Sequence, residues 1–203
     1  TMDMLEYEKK LYNSGFKYIA GIDEVGRGPL AGPVYAAAVI LPVGEIIDGI
    51  NDSKKLSEKK RESLYDIIAE KAICWATASV EPDVIDEINI RQATHLAMKN
   101  AVDNLDTKAE FLLIDGNDKI PFDYPYEYLI KGDGRSQSIA AASIMAKVTR
   151  DRYMKQMAEV YPEYYFEKHK GYGTKIHMEA IREHGVCPLH RKTFITHKVL
   201  GIK

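Results

Sequence analysis

Tyr18-Ile19-Ala20-Gly21-Ile22-Asp23-Glu24-Val25-Gly26-Arg27-Gly28 starts as an apolar strand and ends in two carboxylates and a glycine turn. Five apolar residues bounded by turn formers have the composition of a core strand. The Gly/Pro-rich stretch Gly26 to Pro33 separates it from a second apolar run, Val34 to Leu41, so two successive strands are expected. Upstream, Asp3 to Asn13 reads as a helix stopped by Gly15. Downstream, Ser57 is suited to N-cap a helix carrying Leu64, Ile67, Ile68 and Ala72 on one side. Cys74 to Val80 has strand character. Ala93, Leu96, Ala97, Ala101 and Leu105 form a helical stripe, followed by the strand-like run Phe111 to Ile114. The longest helix is expected from Ser136 to Tyr161, with Ile139, Ala142, Ala146, Thr149 and Tyr153 on one face and Pro162 at its end. Its run Ala140-Ala141-Ala142 permits close approach to a sheet. Thr174 to His184 is a further short helix, closed by Gly185. Strands alternating with helices predict an α/β fold, a central sheet flanked by helices. One domain spanning 1–203 is expected, with 162–203 a small basic helical C-terminal region.

The 203 residues are 45% hydrophobic and 29% charged, the balance of an ordinary globular chain. No apolar run approaches the roughly 20 residues of a membrane span, and Thr1 to Leu5 lack a signal peptide's basic start. Cys74 and Cys187 sit far apart, in no C-x-x-C pattern, which suits a reducing interior and predicts a cytoplasmic protein. The formal net charge of −2 is unevenly spread. Residues 168–203 carry eight Lys/Arg against Glu179 and Glu183, leaving −8 on the remainder. A second basic knot comprises Lys54, Lys55, Lys59, Lys60 and Arg61. A charge run is most often a solvated face, so this map permits a polyanionic partner without requiring one.

Asp23 and Glu24 end one apolar strand, and Asp115 ends another before Gly116; Asp133 lies between Gly132 and Gly134, ahead of the long helix. Unpaired carboxylates are costly to bury and repel one another when gathered. A divalent cation resolves that repulsion, and two can drive phosphodiester hydrolysis. Taken singly, each acid has a plainer explanation: a strand end, a turn, or favourable placement near a helix N-terminus. A regular strand also turns Asp23 and Glu24 to opposite faces, so both reach one ion only if the chain bends near Gly26 and Gly28. Gly26-Arg27-Gly28 suits close approach of backbone to a ligand, with Arg27 gripping phosphate. Neither dinucleotide-binding nor P-loop spacing is present. His169-Lys170-Gly171-Tyr172-Gly173-Thr174 offers a tyrosine for stacking on a sugar or base. His184-x-x-Cys187-x-x-His190, with His197, fits none of the common zinc-ligand spacings.

Six ordered blocks resemble ribonuclease HII, the type 2 ribonuclease H. They are Gly21 to Pro33, Asp52-Ser53-Lys54-Lys55-Leu56-Ser57, Asp115-Gly116-Asn117, Lys131-Gly132-Asp133 with Ser138 to Asp151, His169 to Thr174, and His190-Arg191. The resemblance implies a ribonuclease H-like fold with a central mixed sheet. It also implies a two-metal endonuclease using Mg²⁺ or Mn²⁺ on RNA/DNA hybrids and on ribonucleotide-containing duplex DNA. By the same resemblance Asp23, Glu24, Asp115 and Asp133 hold the metal. Gly26, Arg27 and Gly28 read the 2′-hydroxyl and phosphate, Tyr172 stacks on the adjoining deoxyribose, and Lys54 sits near the scissile phosphate. The cut falls 5′ of the ribonucleotide, leaving 3′-hydroxyl and 5′-phosphate ends. A monomer without membrane attachment is expected. With about 20 residues ahead of the first block, the extra N-terminal domain of the sister ribonuclease HIII is not expected, and the four acids argue against a metal-free binding module.

Overall fold

The computed structural model describes residues 3–50 and 55–203. Its five strands are β1 Ile19–Val25, β2 Val34–Ile40, β3 Cys74–Val80, β4 Phe111–Asp115 and β5 Tyr126–Leu129. They form one mixed sheet in the order β3-β2-β1-β4-β5. The hairpin strands β1, β2 and β3 pair antiparallel, whereas β1–β4 and β4–β5 are parallel. Side chains alternate between two apolar layers, as the period of two demands. Ala20, Ile22, Ala36, Ala38, Leu112 and Ile114 pack with Ala93, Ala97 and Ala101 of the helix Ile90–Asp103. Ala37 and Val39 pack with Ala140, Ala141 and Ala142 of the helix Gln137–Val160, beside Leu64 and Ile68 of Glu58–Lys71.

The helices are α1 Glu6–Asn13, α2 Glu58–Lys71, α3 Pro82–Ile88, α4 Ile90–Asp103, α5 Gln137–Val160, α6 Phe166–His169, α7 Lys175–His184 and α8 His197–Leu200. Ser57, Ser136 and Thr174 accept hydrogen bonds from the backbone N–H groups of Lys60, Ile139 and His177, which fixes three helix starts. The start of α5 lies directly on β1. A Cβ on Gly21 would stand 2.0 Å from the Ser138 carbonyl carbon and 2.5 Å from the Ile139 nitrogen. Fully buried Glu8 of α1 secures the same point, accepting from Ser136 Oγ at 2.5 Å and from the Ser138 N–H at 3.3 Å. Asp133 is thereby delivered to the end of β1.

Residues beyond α5 pack on its distal half rather than on the sheet. Tyr164, Phe166, Ile181, Leu189 and Val199 cluster with Met154, Ala158, Leu30 and Ala31. This region carries short helices and is joined to the turn after β1 through Leu30 and Ala31. Four elements escaped the sequence pattern: α3, β5, α6 and α8. Three of them have seven residues or fewer of irregular apolar spacing, and β5 is a four-residue edge of half-buried and exposed Tyr and Glu. Among the described residues no helix is long and apolar enough to cross a membrane, and Cys74 and Cys187 form no disulfide.

Candidate active site

The parallel register of β1 and β4 ends at Ile22 opposite Ile114. The next residues on both strands are carboxylates. Oxygens of Asp23, Glu24 and Asp115 lie within 4.8 Å of one another, the one such group among the described residues. β1 continues pairing with β2 as far as Val25, so both acids converge without the strand being abandoned; past Ile22 no β4 partner constrains that edge. Asp23 is 6% exposed. Burial, then the charges of Glu24 and Asp115, push its carboxyl well above the ordinary range. Asp115 is also raised, by burial and by Glu24 and Asp133. Asp133 is buried in the turn Gly132–Gly134, and its backbone N–H donates to Asp115 Oδ1 at 3.3 Å. Its carboxylate lies outside the group of three and acts on Asp115 from the adjoining turn. Crowded hard oxygen donors whose charges oppose one another are the donor set a divalent cation fits.

The turn after β1 faces this cluster. Arg27 lines the same cleft as Glu24, Asp115, Asn117 and Asp118. Gly26 has φ +87°, and a Cβ on Gly28 would stand 3.9 Å from the Tyr172 ring. Tyr172 is exposed, held by its own N–H donating to the His169 carbonyl at 3.0 Å. Asp23, Glu24, Asp115, Asp133, Gly26, Arg27, Gly28 and Tyr172 therefore occupy one end of the sheet; Lys54 lies outside the described residues.

Side chains to which the sequence assigned no role at the site hold this arrangement. Arg150 and Arg191 are buried and donate to backbone carbonyls around the turn. Three buried histidines set the Tyr172 segment. The Cys187 N–H donates to His190 Nδ1, so His190 Nε2 carries a proton and donates to His177 Nε2 at 2.9 Å. His177 Nδ1 then donates to the Tyr172 carbonyl at 2.8 Å. His169 accepts from the Gly171 N–H on Nδ1 and donates from Nε2 to the Tyr164 carbonyl. All three rings are neutral, and burial pushes His177 and His190 down to about 4. His190 has both nitrogens engaged and cannot serve the zinc-like spacing. The basic C-terminal surplus is also smaller at the surface: Arg191 is fully buried, and Arg182 donates to the carbonyls of Lys198 and Val199.

The family profile for Ribonuclease HII matches residues 20–197. Ribonuclease HII of Bacillus cytotoxicus is 60% identical over 193 residues, covering 95% of this chain and 74% of that protein. Among solved structures, ribonuclease H2 from Pyrococcus horikoshii superposes with a TM-score of 0.77 at 25% identity, over 90% of this chain and 97% of that one. The Mn²⁺ complex of Bst-RNase HIII shares the fold, with a TM-score of 0.68 at 21% identity, covering 91% and 69% of the two chains. With a matched profile spanning the strand-end acids, the turn and the Tyr172 segment, the chain belongs to the ribonuclease HII family, the type 2 ribonucleases H, and is an endonuclease of that class.

Proposed function

We propose that this endonuclease hydrolyses the RNA of RNA/DNA hybrids and cuts 5′ of a ribonucleotide embedded in duplex DNA, leaving 3′-hydroxyl and 5′-phosphate ends. Asp23, Glu24, Asp115 and Asp133 are the groups that would hold divalent cations, Mg²⁺ or Mn²⁺. Bound there, a pair of ions would supply an activated water and charge compensation for the leaving oxygen. Arg27 is placed to grip the phosphate beside them, and the backbone of Gly26, Arg27 and Gly28 to meet the 2′-hydroxyl, the one group that separates RNA from DNA at a site. A donor or acceptor left unpaired by the wrong sugar penalises DNA more strongly than shape does. Tyr172 offers its ring to the sugar of the following deoxynucleotide. Exposed Lys168 and Lys175 supply sequence-independent contacts to the backbone. The protein acts as a monomer.

One observation carries this reading: Asp23 and Glu24 of the carboxylate cluster stand at the end of β1, which runs directly into the exposed Arg27-Gly28 turn, with Tyr172 across from Gly28. The test is a labelled DNA duplex with a single ribonucleotide, incubated with Mg²⁺, with Mn²⁺ and with EDTA. One metal-dependent cut on the 5′ side of the ribonucleotide is expected. Cleavage of a long RNA/DNA hybrid but not of this duplex would remove the junction-reading role of Gly26, Arg27, Gly28 and Tyr172.

A further inference from the structure

Arg150 and Arg191 are 1% and 0% exposed, and among the described residues neither has a carboxylate within ion-pair distance. Burying two unpaired cations side by side is expensive unless every available acceptor is supplied. Here the acceptors are six backbone carbonyls. Arg191 donates to Gly26 at 2.6 Å, Arg27 at 2.9 Å and Gly32 at 2.9 Å. Arg150 donates to Pro33 at 3.0 Å, Ala31 at 2.9 Å and Lys170 at 2.7 Å. Five of these carbonyls belong to the turn between β1 and β2, and the sixth lies two residues before Tyr172. The turn is fitted to the guanidinium: a Cβ on Gly26 would meet Arg150 Nε at 2.4 Å, and one on Gly32 would meet Arg150 Nη2 at 2.9 Å.

A trans peptide is planar, with its C=O and N–H pointing in opposite directions. Drawing the Gly26 and Arg27 carbonyls inward therefore turns the N–H groups of Arg27 and Gly28 outward. Those two residues are exposed, and neither N–H donates to a protein acceptor among the described residues. Successive outward N–H groups over a buried positive charge form a concavity that favours an oxygen ligand of negative or partial negative charge.

We propose that Arg150 and Arg191 are positioning residues for ribonucleotide recognition, which preset the Arg27 and Gly28 N–H groups as a donor pair aimed at ribose and phosphate oxygens. The proposal rests on the assignment of Gly26, Arg27 and Gly28 as the recognition turn. It differs from a merely structural role in what it predicts for discrimination. A rivet sustains stability alone, whereas a positioning pair sets how strongly a ribonucleotide is preferred over a deoxyribonucleotide.

The test measures binding in EDTA, so that nothing is cut, to two duplexes identical except for one 2′-hydroxyl. Arg191→Lys keeps the charge and cannot span three carbonyls, whereas Arg191→Gln keeps a planar donor and loses the charge. In variants that still melt cooperatively, the preference for the ribonucleotide duplex should fall roughly tenfold, the worth of one or two misdirected hydrogen bonds. The salt dependence of binding should stay unchanged. A folded Arg191→Lys with wild-type preference overturns the proposal and leaves the recognition turn standing. A wild-type protein with no preference overturns both. Should neither variant fold, the Arg27 and Gly28 amide resonances of the wild-type protein decide. Shifts with the ribonucleotide duplex alone support the donor pair, and equal shifts with both duplexes overturn it.

Discussion

Gly26 and Gly28 flank one arginine, yet the structure assigns them opposite reasons for being glycine. Gly26 has φ +87°, and an added Cβ would stand 2.4 Å from Arg150 Nε, 2.7 Å from Arg150 Cδ and 3.1 Å from the Pro33 carbonyl oxygen. For Gly26→Ala, the left-handed backbone costs about 1–2 kcal/mol and the overpacking about 1–3 kcal/mol. Together these make about 2–5 kcal/mol, or roughly 4–20 °C in Tm for a chain of this length. Gly28 lies outside the left-handed region, and its Cβ would find only the Tyr172 ring, at 3.9 Å. Gly28→Ala should therefore stay within about 0.5 kcal/mol of the wild-type stability. Its methyl group would nevertheless occupy the gap between turn and ring that the sugar enters on the proposed function. A reacting group displaced by about 1 Å loses on the order of a hundredfold in rate. Calorimetric melting and kcat/KM on the single-ribonucleotide duplex separate the two. Expected is a large Tm loss for Gly26→Ala, and for Gly28→Ala an unchanged Tm with a deep loss of kcat/KM. A Gly28→Ala protein that cuts at the wild-type rate would refute the assignment of this gap to substrate.

Burial and its neighbours raise the Asp23 carboxyl, so the folded state holds that proton more tightly than the unfolded chain. The carboxylate thus costs stability as pH rises from the unfolded value of about 3.9 through the raised folded value. Asp23→Asn should raise the metal-free Tm at pH 8 by a few degrees, lose that advantage near pH 4, and abolish both cleavage and metal-induced stabilisation; a lower Tm at both pH values would make Asp23 a packing residue. His190 runs the other way, since its folded pKa of about 4 lies below the ordinary 6.5. Its contribution is complete above about pH 6.5 and is lost as pH falls toward 4. His190→Gln should flatten the fall in Tm between pH 7 and pH 5, and a parallel curve would count against a buried neutral ring. Gly21→Ala drives a methyl into the Ser138 backbone at 2.0 Å, where no flexible side chain can yield; about 3 kcal/mol or more should be lost, and a wild-type melting curve would contradict the packing of α5 on β1.

Most of the sheet was legible because its signals are local. The runs expected from the sequence at 18–25, 34–41 and 111–114 are strands, and Ser57 is the expected cap because it needs a partner only three residues away; Ser136 and Thr174, expected as first helical residues, are caps as well. The strand-end acids stood out because carboxylates close apolar runs in two places. The arginines did not, because their partners are remote: Arg150 reaches Pro33 across 117 residues, and Arg191 reaches Gly26 across 165. Composition treats such a residue as a solvated charge. One clue was available for Arg150, which follows Ala142 and Ala146 at four-residue steps on the buried stripe of α5, and a cation on that stripe must be satisfied from outside its helix. Arg191 and the histidines carried no such mark. Their roles appear only once the segment after α5 is seen against the turn.

That segment changes how the site is divided. The acids depend on β1, β4 and the start of α5, a framework complete by residue 139. The proposed reading side depends on Arg150 of α5 and on residues beyond 160. The N–H groups of Leu30 and Ala31 donate to the Gly171 carbonyl, Gly32 donates to Leu189, and Arg191 donates back to Leu30. The His190–His177 pair then fixes the carbonyl of Tyr172. On the proposed function, catalytic charge and sugar recognition are thus built by different parts of the chain and meet at the turn between β1 and β2. The separation is physically apt. Crowded carboxylates destabilise the protein until they are neutralised, so they need the stiffest surroundings, and the centre of the sheet supplies them. Recognition of one hydroxyl needs donors aimed without strain, and a turn pinned through its carbonyls supplies those while leaving its N–H groups to the ligand.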